Sequence, residues 1–391
     1  MFRLSQYLAE LDAPTALPPL RGRPAPVVIW NLIRRCNLKC RHCYANSADA
    51  DFAGELTSEE AFATLHDLRE SGVKVLILSG GEPLLRPDIF EISAEAKRLG
   101  FYVGLSSNGT LIDDAMADRV AAVGYDYVGI SLDGIGSTHD RFRRQSGAFV
   151  RSLAALRRCR ERGLKTGLRF TLTRDNAAEL PAMLDLVEDE RIDKFFLSHL
   201  NYGGRGNRNR GDDAWHQLTR AAMLYLFERA RDWTERGLGK DVVTGNNDAD
   251  AAFFLEWVAQ RRPDRVEHLR ARLERWGGNA AGLGIANIDT RGLVHPDTFW
   301  WHHAIGDVRR ASFAEIWRGA GDPVLAGLRI SPRPVKGRCA GCRFLSICNG
   351  NSRIRALQVN GDPWQEDPAC YLTDAEIGVA TTRTPIHAAL H

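Results

Sequence analysis

Three cysteines near the start of the chain have the spacing of metal ligands. Cys36, Cys40 and Cys43 follow the pattern C-x3-C-x2-C. Thiolates are the usual ligands of iron–sulfur clusters, and three of them without a fourth Cys nearby leave one iron of a cubane 4Fe-4S cluster open to a small molecule. The alternative is structural zinc, which almost always takes four ligands. His42 is the local candidate for a fourth ligand, but it lies between two of the thiols, so the spacing favours a reactive iron–sulfur cluster.

A glycine-rich motif follows the next apolar run. Gly80-Gly81-Glu82-Pro83 comes directly after residues 73–79, whose β-branched side chains predict a buried strand. Two successive glycines allow the backbone to approach a ligand closely. Together, the cysteines and this motif resemble the radical S-adenosylmethionine (SAM) enzymes, in which SAM chelates the open iron. The resemblance implies that Gly80, Gly81, Glu82 and Pro83 hold the methionine amino group of SAM, with Glu82 as its negative partner.

Two further strand ends carry polar tips, which are also common in ordinary turns. The resemblance implies that three of these side chains lie near the ribose and methionine of SAM: Ser107, Asn108 and Ser131. It also implies that an arginine pairs with the SAM carboxylate, for which a guanidinium fork is geometrically suited. Arg143 is the prediction, and Arg141 and Arg144 are the alternatives.

The pattern of strands and helices explains how these residues are brought together. Strand-like runs at 27–31, 73–79, 102–106, 127–132, 166–171 and 194–199 alternate with helical patterns, among them a helix over 58–70 that opens with the capping box Thr57-x-x-Glu60. Six βα units predict a parallel sheet with right-handed crossovers. This matches the partial, TIM-like (β/α)6 barrel of the radical SAM family, an α/β fold whose chemistry gathers at the carboxyl ends of the strands.

The predicted domain organisation has five parts. They are an N-terminal extension (1–25), the barrel (26–211), a helical bridge (212–280), a small iron–sulfur domain (281–375) and a C-terminal tail (376–391). The bridge shows no strong strand signal. Its tryptophans fit a cavity for a flat ligand or plain core, and core is favoured for most of them: Trp215, Trp233, Trp257 and Trp276.

Composition narrows the class of protein. The chain has 391 residues, 44% of them hydrophobic, and a formal charge of +3, which is too small to argue for nucleic-acid binding. Neither a membrane span nor a signal peptide is predicted, so we expect a cytoplasmic protein. We also expect a monomer. Seven of the eight cysteines fall in two ligand-like groups, which indicates a reducing compartment. The eighth, Cys159, is predicted to be a core thiol.

The second group of thiols lies near the C-terminus. Cys339, Cys342, Cys348 and Cys370 supply the four thiolates of a closed 4Fe-4S cluster, although spacing alone also suits zinc. The stretch 288–296 and its continuation resemble the SPASM or twitch domains of radical SAM enzymes, which hold auxiliary clusters. Asp297 and Ser352 stand where a two-cluster SPASM domain has further cysteines. The resemblance therefore implies one auxiliary 4Fe-4S cluster, with electron transfer as its role.

Over roughly residues 20–375 the chain is most similar to the tetrapyrrole-modifying branch of the family, the NirJ-like enzymes of haem d1 biosynthesis. These convert 12,18-didecarboxysiroheme by removing two propionate side chains and leaving oxo groups or their precursors. The resemblance implies that a reduced cluster cleaves SAM to a 5′-deoxyadenosyl radical. Catalysis is therefore assigned to the cofactors, and no amino-acid side chain is predicted to be catalytic. It also implies an electron donor such as a flavodoxin or a ferredoxin.

An anionic tetrapyrrole should meet cations and imidazoles. A Gly- and Asn-rich loop after the sixth strand offers three arginines, although a solvated turn explains it equally well: Arg205, Arg208 and Arg210. Axial ligation of the substrate iron needs an imidazole. The candidates for this role are His199, His302 and His303.

Three alternatives remain at this point. One is a SPASM-type enzyme that modifies a peptide; such enzymes commonly carry an N-terminal recognition domain, and here only some twenty-five residues, Pro-rich over 13–26, precede the first strand. Another is a different tetrapyrrole side-chain decarboxylase of haem synthesis. The third is a non-enzymatic iron–sulfur carrier, which would not need an open cluster with a SAM-like site.

Overall fold

A computed structural model describes residues 1–17, 25–319 and 321–380. Within this part of the chain the strands are β1 (Val27–Asn31), β2 (Val75–Ser79), β3 (Tyr102–Ser107), β4 (Tyr127–Ser131), β5 (Thr166–Leu172), β6 (Lys194–His199), β7 (Asp241–Gly245), β8 (Ile285–Ile288), β9 (Leu293–His295) and β10 (Gly306–Asp307). The α-helices are α1 (Leu4–Asp12), α2 (Ser58–Glu70), α3 (Ile89–Arg98), α4 (Asp114–Val123), α5 (Ser137–Arg143), α6 (Ala148–Glu161), α7 (Leu180–Asp189), α8 (Gly204–Arg208), α9 (His216–Glu235), α10 (Ala249–Arg261), α11 (Val266–Trp276), α12 (Phe313–Arg318), α13 (Pro323–Leu328), α14 (Leu345–Cys348), α15 (Arg353–Asn360) and α16 (Asp374–Ile377).

One ten-stranded sheet forms the centre of the molecule, in the order β10-β9-β8-β1-β2-β3-β4-β5-β6-β7. Strands β1 to β7 are parallel, β8 joins β1 in parallel, and β9 and β10 add antiparallel partners. Helices follow β2 to β6, as parallel crossovers require. The predicted α/β fold with six parallel strands is confirmed, with strand bounds that differ by at most two residues.

Short apolar runs form the strands, and capped helices connect them. The predicted capping box of α2 is present: Thr57 Oγ1 accepts from the Glu60 amide at 3.2 Å, and the Glu60 carboxylate accepts from the Thr57 amide at 2.9 Å. Such a cap satisfies two amides that the first helical turn would otherwise leave unpaired. It therefore fixes where the chain turns from the cluster loop back along the outside of the sheet.

Alternate residues of each strand point to opposite faces of the sheet. Arg169 on β5 donates a hydrogen bond to Ser106 on β3, across β4. A contact between strands two apart shows that this face is concave and forms the interior of the partial barrel. Residues of the other parity are fully buried beneath the outer helices: Val28, Trp30, Leu76, Leu78, Val103, Leu105, Val128, Ile130, Leu168, Phe170, Phe195 and Leu197.

The predicted helical bridge, residues 212–280, also contains the strand β7. This strand pairs with β6 on one side, and the Phe2 and Thr244 backbones bond on the other. Its sequence contains only Val242, Val243 and Thr244 as β-formers, so the signal is short, and pairing with distant residues stabilises it. The segment 202–211, predicted as a loop, also contains α8.

Two sequence-based expectations concern residues only partly described. Residues 18–24 of the predicted N-terminal extension and residues 381–391 of the predicted tail lie outside the described residues. The described part of the extension forms α1, which packs on α9 and β7. Among the described residues, no helix has the length and apolar character needed to span a bilayer.

Candidate active site

The three N-terminal cysteines lie in one loop directly after β1. Cys36 and Cys40 are 6% and 7% exposed, and Cys43 is half-buried. The sulfurs accept N–H groups at 3.4 Å from the Leu38 amide, the Arg143 guanidinium and the Ser47 amide, respectively, and Cys36 Sγ also accepts from the Asn108 side-chain amide at 3.9 Å. Burial raises the pKa of the Cys36 thiol to about 12. Because metal binding deprotonates a thiol outright, this donor set fits a metal cluster that supplies positive charge.

The cluster loop is held in place by an arginine that the sequence had suggested for substrate. The Arg205 guanidinium donates to the carbonyl oxygens of Cys40 at 2.6 Å and Ser47 at 2.7 Å. The two other arginines of that segment also have protein partners. Arg208 donates to the Asn46 side chain at 3.0 Å, and Arg210 donates to the Gln358 carbonyl at 3.3 Å. Arg205 therefore positions the loop, while contact of Arg208 and Arg210 with substrate stays a prediction.

The glycine motif after β2 packs against the start of the cluster loop. A Cβ atom at Gly81 would lie 2.1 Å from the Arg35 carbonyl oxygen, and one at Gly80 would lie 2.3 Å from the Ile33 carbonyl oxygen. The Glu82 amide donates to that Arg35 oxygen at 2.9 Å. Only glycine permits this approach, so the motif places Glu82 directly beside the loop that carries the cysteines.

Glu82 is a buried carboxylate that accepts three hydrogen bonds. They come from the Asn108 amide at 2.8 Å, the Ser107 hydroxyl at 2.9 Å and the Leu84 amide at 3.2 Å. Burial raises its pKa to about 7, and no cationic side chain in the described ranges forms an ion pair with it. Because a buried charge needs a partner, the position suits an incoming ammonium group. Three residues predicted for SAM, Glu82, Ser107 and Asn108, thus lie together.

Among the three arginines considered for the SAM carboxylate, Arg143 alone points into the site. It pairs with the fully buried Asp133 carboxylate and contacts Cys40 Sγ. Although burial opposes both charges, the pair raises the pKa of Arg143 and lowers that of Asp133. Arg141 bonds to Ser137 and Thr138 and is exposed, and Arg144 is exposed as well. Arg143 is therefore bound to a protein carboxylate already, which the sequence did not indicate.

The barrel interior contains a guanidinium that sequence reasoning missed. Arg169 lies opposite Ser131 in the sheet register, stacks over the Phe196 ring at 5.3 Å and bonds to Ser106. In the described part of the chain it forms no ion pair, so it is available to a carboxylate ligand. The signal was present in the strand parity, which places Arg169 on the same face as Gly129 and Gly167, over which the Tyr127 ring lies.

An aromatic wall lies beside the cluster loop. Tyr44, which follows Cys43 directly, contacts Phe299 and Trp301 with ring centroids 5.4 and 6.2 Å apart. The Trp301 ring stacks on His295 at 6.4 Å and 6°, and its Nε1 atom is buried without a hydrogen-bond partner in the described chain. These rings thus form a flat aromatic surface adjacent to the cluster loop.

The three candidate imidazoles differ in position. His199 has the parity of the outer face and donates Nε2–H to Asp250 at 2.9 Å, so it lies between the sheet and α10 rather than in the barrel interior. His302 is exposed. His303 Nε2 lies 2.9 Å from an Asp322 oxygen. The structure does not bring these three residues together, and axial ligation stays a prediction for His302 and His303.

The four C-terminal cysteines form a second group. Beyond the effect of burial, the other three thiols each raise the pKa of Cys348, which shows that all four lie close together. The Phe344 amide donates to Cys342 Sγ at 3.4 Å. Burial raises the pKa of all four thiols, and the backbone at Asp367, Gly350 and Leu372 opposes this rise at Cys339, Cys348 and Cys370, respectively. Across the described residues no three His, Cys, Asp or Glu side chains converge on a single ion; a four-iron cluster instead binds each thiolate through a different iron.

Buried polar contacts join this second group to the barrel. Arg355 and Asp367 form a fully buried ion pair at 2.8 Å, and Arg355 also donates to the Leu200 carbonyl just after β6. Tyr371, the neighbour of Cys370, donates to Asp250 at 2.7 Å, the carboxylate that holds His199. Ser352, which stands where a two-cluster SPASM domain has a cysteine, caps α15. The N-terminal and C-terminal groups of cysteines are therefore attached to the same framework of buried contacts.

Three comparisons bear on this site. A sequence model of the Radical SAM superfamily matches residues 30–187. A Pre-heme d1 synthase from Dinoroseobacter shibae is 57% identical over 383 residues, which cover 97% of this chain and 95% of that protein. A Fe-coproporphyrin III synthase from Methanosarcina barkeri is 43% identical over 356 residues, or 90% of this chain and 89% of that protein.

The fold is also similar to a solved structure. SuiB of Streptococcus suis, bound to its precursor peptide SuiA, superposes with a TM-score of 0.71 over 90% of this chain and 76% of that chain. The two sequences are 17% identical. At that identity the similarity concerns the fold alone.

Proposed function

This chain belongs to the radical SAM superfamily, and from that membership we propose that it is an enzyme of haem d1 biosynthesis that removes two propionate side chains from 12,18-didecarboxysiroheme. When bound, a 4Fe-4S cluster supplies one electron that cleaves SAM into methionine and a 5′-deoxyadenosyl radical. The chain's own residues position the two reactants and exclude water. The relative that is 57% identical over nearly its whole length supports the tetrapyrrole substrate.

The proposed SAM site consists of the cluster loop and of residues at the ends of β2, β3 and β4. Cys36, Cys40 and Cys43 hold the cluster. Glu82 receives the ammonium group of SAM, because it is a buried carboxylate without a cationic partner. Gly80, Gly81 and Pro83 fix its approach, and Ser107, Asn108 and Ser131 surround the methionine and ribose. Because Arg143 is already paired with Asp133, its proposed contribution to the site is its contact with Cys40 Sγ.

Glu82 gives the SAM site a defined pH dependence. Only the ionised carboxylate attracts an ammonium group, and burial raises its pKa to about 7. SAM affinity should therefore rise as the pH increases towards 7, and it should fall by up to about tenfold for each unit below that value. Anaerobic calorimetry between pH 5.5 and 7.5 measures this. Glu82→Gln should flatten the profile and weaken binding. Glu55→Gln should retain the pH profile, because Glu55 is a half-buried carboxylate whose partner is the Arg34 amide.

The auxiliary site is proposed to hold a second 4Fe-4S cluster. Its four thiols lie together, and backbone groups oppose the effect of burial on the pKa of each, an arrangement that stabilises thiolates and tunes the potential of a cluster. Its neighbours Asp250 and Tyr371 connect it to the end of β6. We assign electron transfer to this site, since removal of a side chain by a radical leaves one surplus electron that the site can accept.

The observation in the fold that best supports a flat substrate is the aromatic wall. Tyr44, Phe299 and Trp301 lie beside the cluster loop, and the unpartnered Trp301 N–H can donate to a substrate carboxylate. Large aromatic faces bind planar ligands through dispersion and burial of apolar area. Arg208 and Arg210 remain predicted partners of propionate groups.

The function is tested by a coupled anaerobic assay. The reconstituted protein is mixed with SAM, dithionite and 12,18-didecarboxysiroheme, and deoxyadenosine is followed together with the tetrapyrrole mass. Loss of propionate-derived mass in step with deoxyadenosine is the expected result. Iron coproporphyrin III serves in a parallel reaction as substrate of the alternative haem-synthesis decarboxylase. Turnover of iron coproporphyrin III alone would favour the alternative haem-synthesis decarboxylase. Formation of deoxyadenosine without any change in the tetrapyrrole would favour a peptide substrate.

A matched pair of tryptophan variants tests the aromatic wall. Trp301→Ala should weaken tetrapyrrole binding about tenfold in an optical titration, which corresponds to about 1.4 kcal/mol and to the range measured for aromatic contacts. Trp215→Ala should leave binding unchanged because Trp215 is 64% exposed on the surface. Equal affinities for both variants would argue that the substrate binds elsewhere.

A further inference from the structure

We infer that a basic surface directly outside the cluster loop is the docking site of an acidic one-electron carrier protein. This basic patch consists of Lys39, Arg141, Arg144 and Arg151, together with Val150, which is 69% exposed. The inference rests on the proposed function, because only an enzyme whose cluster is reduced from outside needs such a partner.

The patch is separated from the cluster loop by very little protein. Arg143 and Arg144 are consecutive residues at the end of α5, yet they point in opposite directions. The first contacts Cys40 Sγ at 3.4 Å, and the second is exposed. The Arg41 amide bonds to the Phe142 carbonyl at 3.2 Å, which fastens the cluster loop to this same turn. A carrier bound on the patch therefore lies against the wall that holds Cys40.

The cations of the patch are free of carboxylate partners in the described chain. Arg141 bonds to Ser137 and Thr138, and Arg151 bonds to the Ser146 carbonyl. Of the nearby carboxylates, Asp140 accepts the amides of residues 147 and 149, and Glu179 accepts the Thr138 hydroxyl and the Ile135 amide. Further along α6 and at its C-cap, three arginines are paired with acids, namely Arg157 with Glu190, Arg158 with Asp114 and Arg162 with Asp118, and Arg160 bonds to the Glu190 carbonyl oxygen. Unpaired cations therefore cluster at the end of α6 that faces the cluster loop, where Arg141, Arg144 and Arg151 lie.

The backbone at Arg144 supports a function for this residue. Arg144 ends α5 in the left-handed region, with φ of 57°. Glycine is usual at such a position because a side chain there strains the backbone. An exposed arginine without a carboxylate partner gives no evident compensation within the chain. Its charge is therefore more useful to an external partner than to the stability of the fold.

Charge and shape both fit an acidic electron carrier. Unpaired cations raise the rate of encounter with an acidic protein and orient it, and an exposed apolar side chain within a polar rim suits a transient interface. In the transfer itself, the flavin hydroquinone anion of a flavodoxin-type carrier loses one electron and becomes the neutral semiquinone. The oxidised cluster gains that electron. No covalent bond changes at this step, and the proton on the flavin stays in place.

The test compares two double variants with the same change in charge. Reduced flavodoxin is mixed anaerobically with the reconstituted protein at low ionic strength, and its oxidation is followed by stopped flow. Arg144→Glu with Arg151→Glu should lower the second-order rate constant by at least about tenfold and flatten its dependence on salt. Lys74→Glu with Lys165→Glu should leave it unchanged, since these exposed residues precede β2 and β5 at the opposite end of the barrel.

Two further measurements separate docking from folding and from catalysis. Arg144→Gly removes the charge while it suits the left-handed backbone, so it should slow reduction severalfold without loss of thermal stability. Dithionite-driven deoxyadenosine formation should be unchanged in all these variants. Equal flavodoxin rates for the two double variants would overturn the docking site, as would a parallel loss of the dithionite reaction. Absence of dithionite-driven cleavage in the unmodified protein would instead refute the proposed function.

Discussion

A variant in which Cys36, Cys40 and Cys43 are all alanine is expected to form no detectable deoxyadenosine and to contain about half the iron of the unmodified protein. These thiols are the proposed ligands of the cluster that cleaves SAM, and each lies in one loop with its own N–H donor. Because a cluster is held by thiolates, no residual binding should remain. Iron analysis and chromatography of the SAM products measure both quantities.

Cys159→Ala is the matched control for this variant. Cys159 is a fully buried thiol on α6, as its sequence context predicted, and burial raises its pKa to about 11. Its replacement leaves a small cavity, which destabilises the fold by about 1 kcal/mol, but the iron content and SAM cleavage should be unaffected. Retained cleavage in the triple variant would refute the assignment of the SAM cluster.

Replacing Cys339, Cys342 and Cys348 by alanine is expected to have the opposite pattern. The other half of the iron should be lost, and SAM cleavage should continue, because these thiols lie in a separate group from the cluster loop. Turnover of the tetrapyrrole should stop, since the surplus electron then has no acceptor. The readouts are iron content, deoxyadenosine and tetrapyrrole mass in the same sample.

The outcomes of this second variant are distinct from those of the first. Full iron retention would mean that the auxiliary site had been misassigned, and continued tetrapyrrole turnover would remove its role in electron transfer. Loss of both cleavage and turnover would indicate that the buried ion pair of Arg355 and Asp367 transmits disorder to the barrel. Circular dichroism, with Cys159→Ala alongside, identifies that case.

Sequence reasoning recovered those parts of the fold that depend on local patterns. The six strands of the barrel were predicted because short apolar runs alternate with capped helices. The positions of Glu82, Ser107 and Asn108 followed from the rule that the carboxyl ends of parallel strands meet at one edge. Trp233 and Trp257, which are 1% and 4% exposed, were also correctly predicted as core.

The features that were missed depend on contacts between distant residues. Strand β8 pairs with β1, and β7 is completed by Phe2, so neither strand is defined by its own few residues. The spacing of three neighbouring arginines could not reveal which one points inward, because that depends on the buried partner Asp133. Likewise, Arg205 was assigned to substrate because its role in holding the cluster loop involves carbonyl oxygens more than 150 residues away.

The pairing of β1 with β8 has a consequence for the timing of biosynthesis. Strand β1, which leads into the cluster loop, leaves the ribosome about 250 residues before its partner β8. At roughly 5–20 residues per second this interval lasts about 12 to 50 s. Throughout that time one edge of β1 is unpaired and open to association with other nascent chains. The enclosure of the cysteine loop is completed only when the C-terminal part has been synthesised, so we expect cluster insertion to follow translation rather than accompany it.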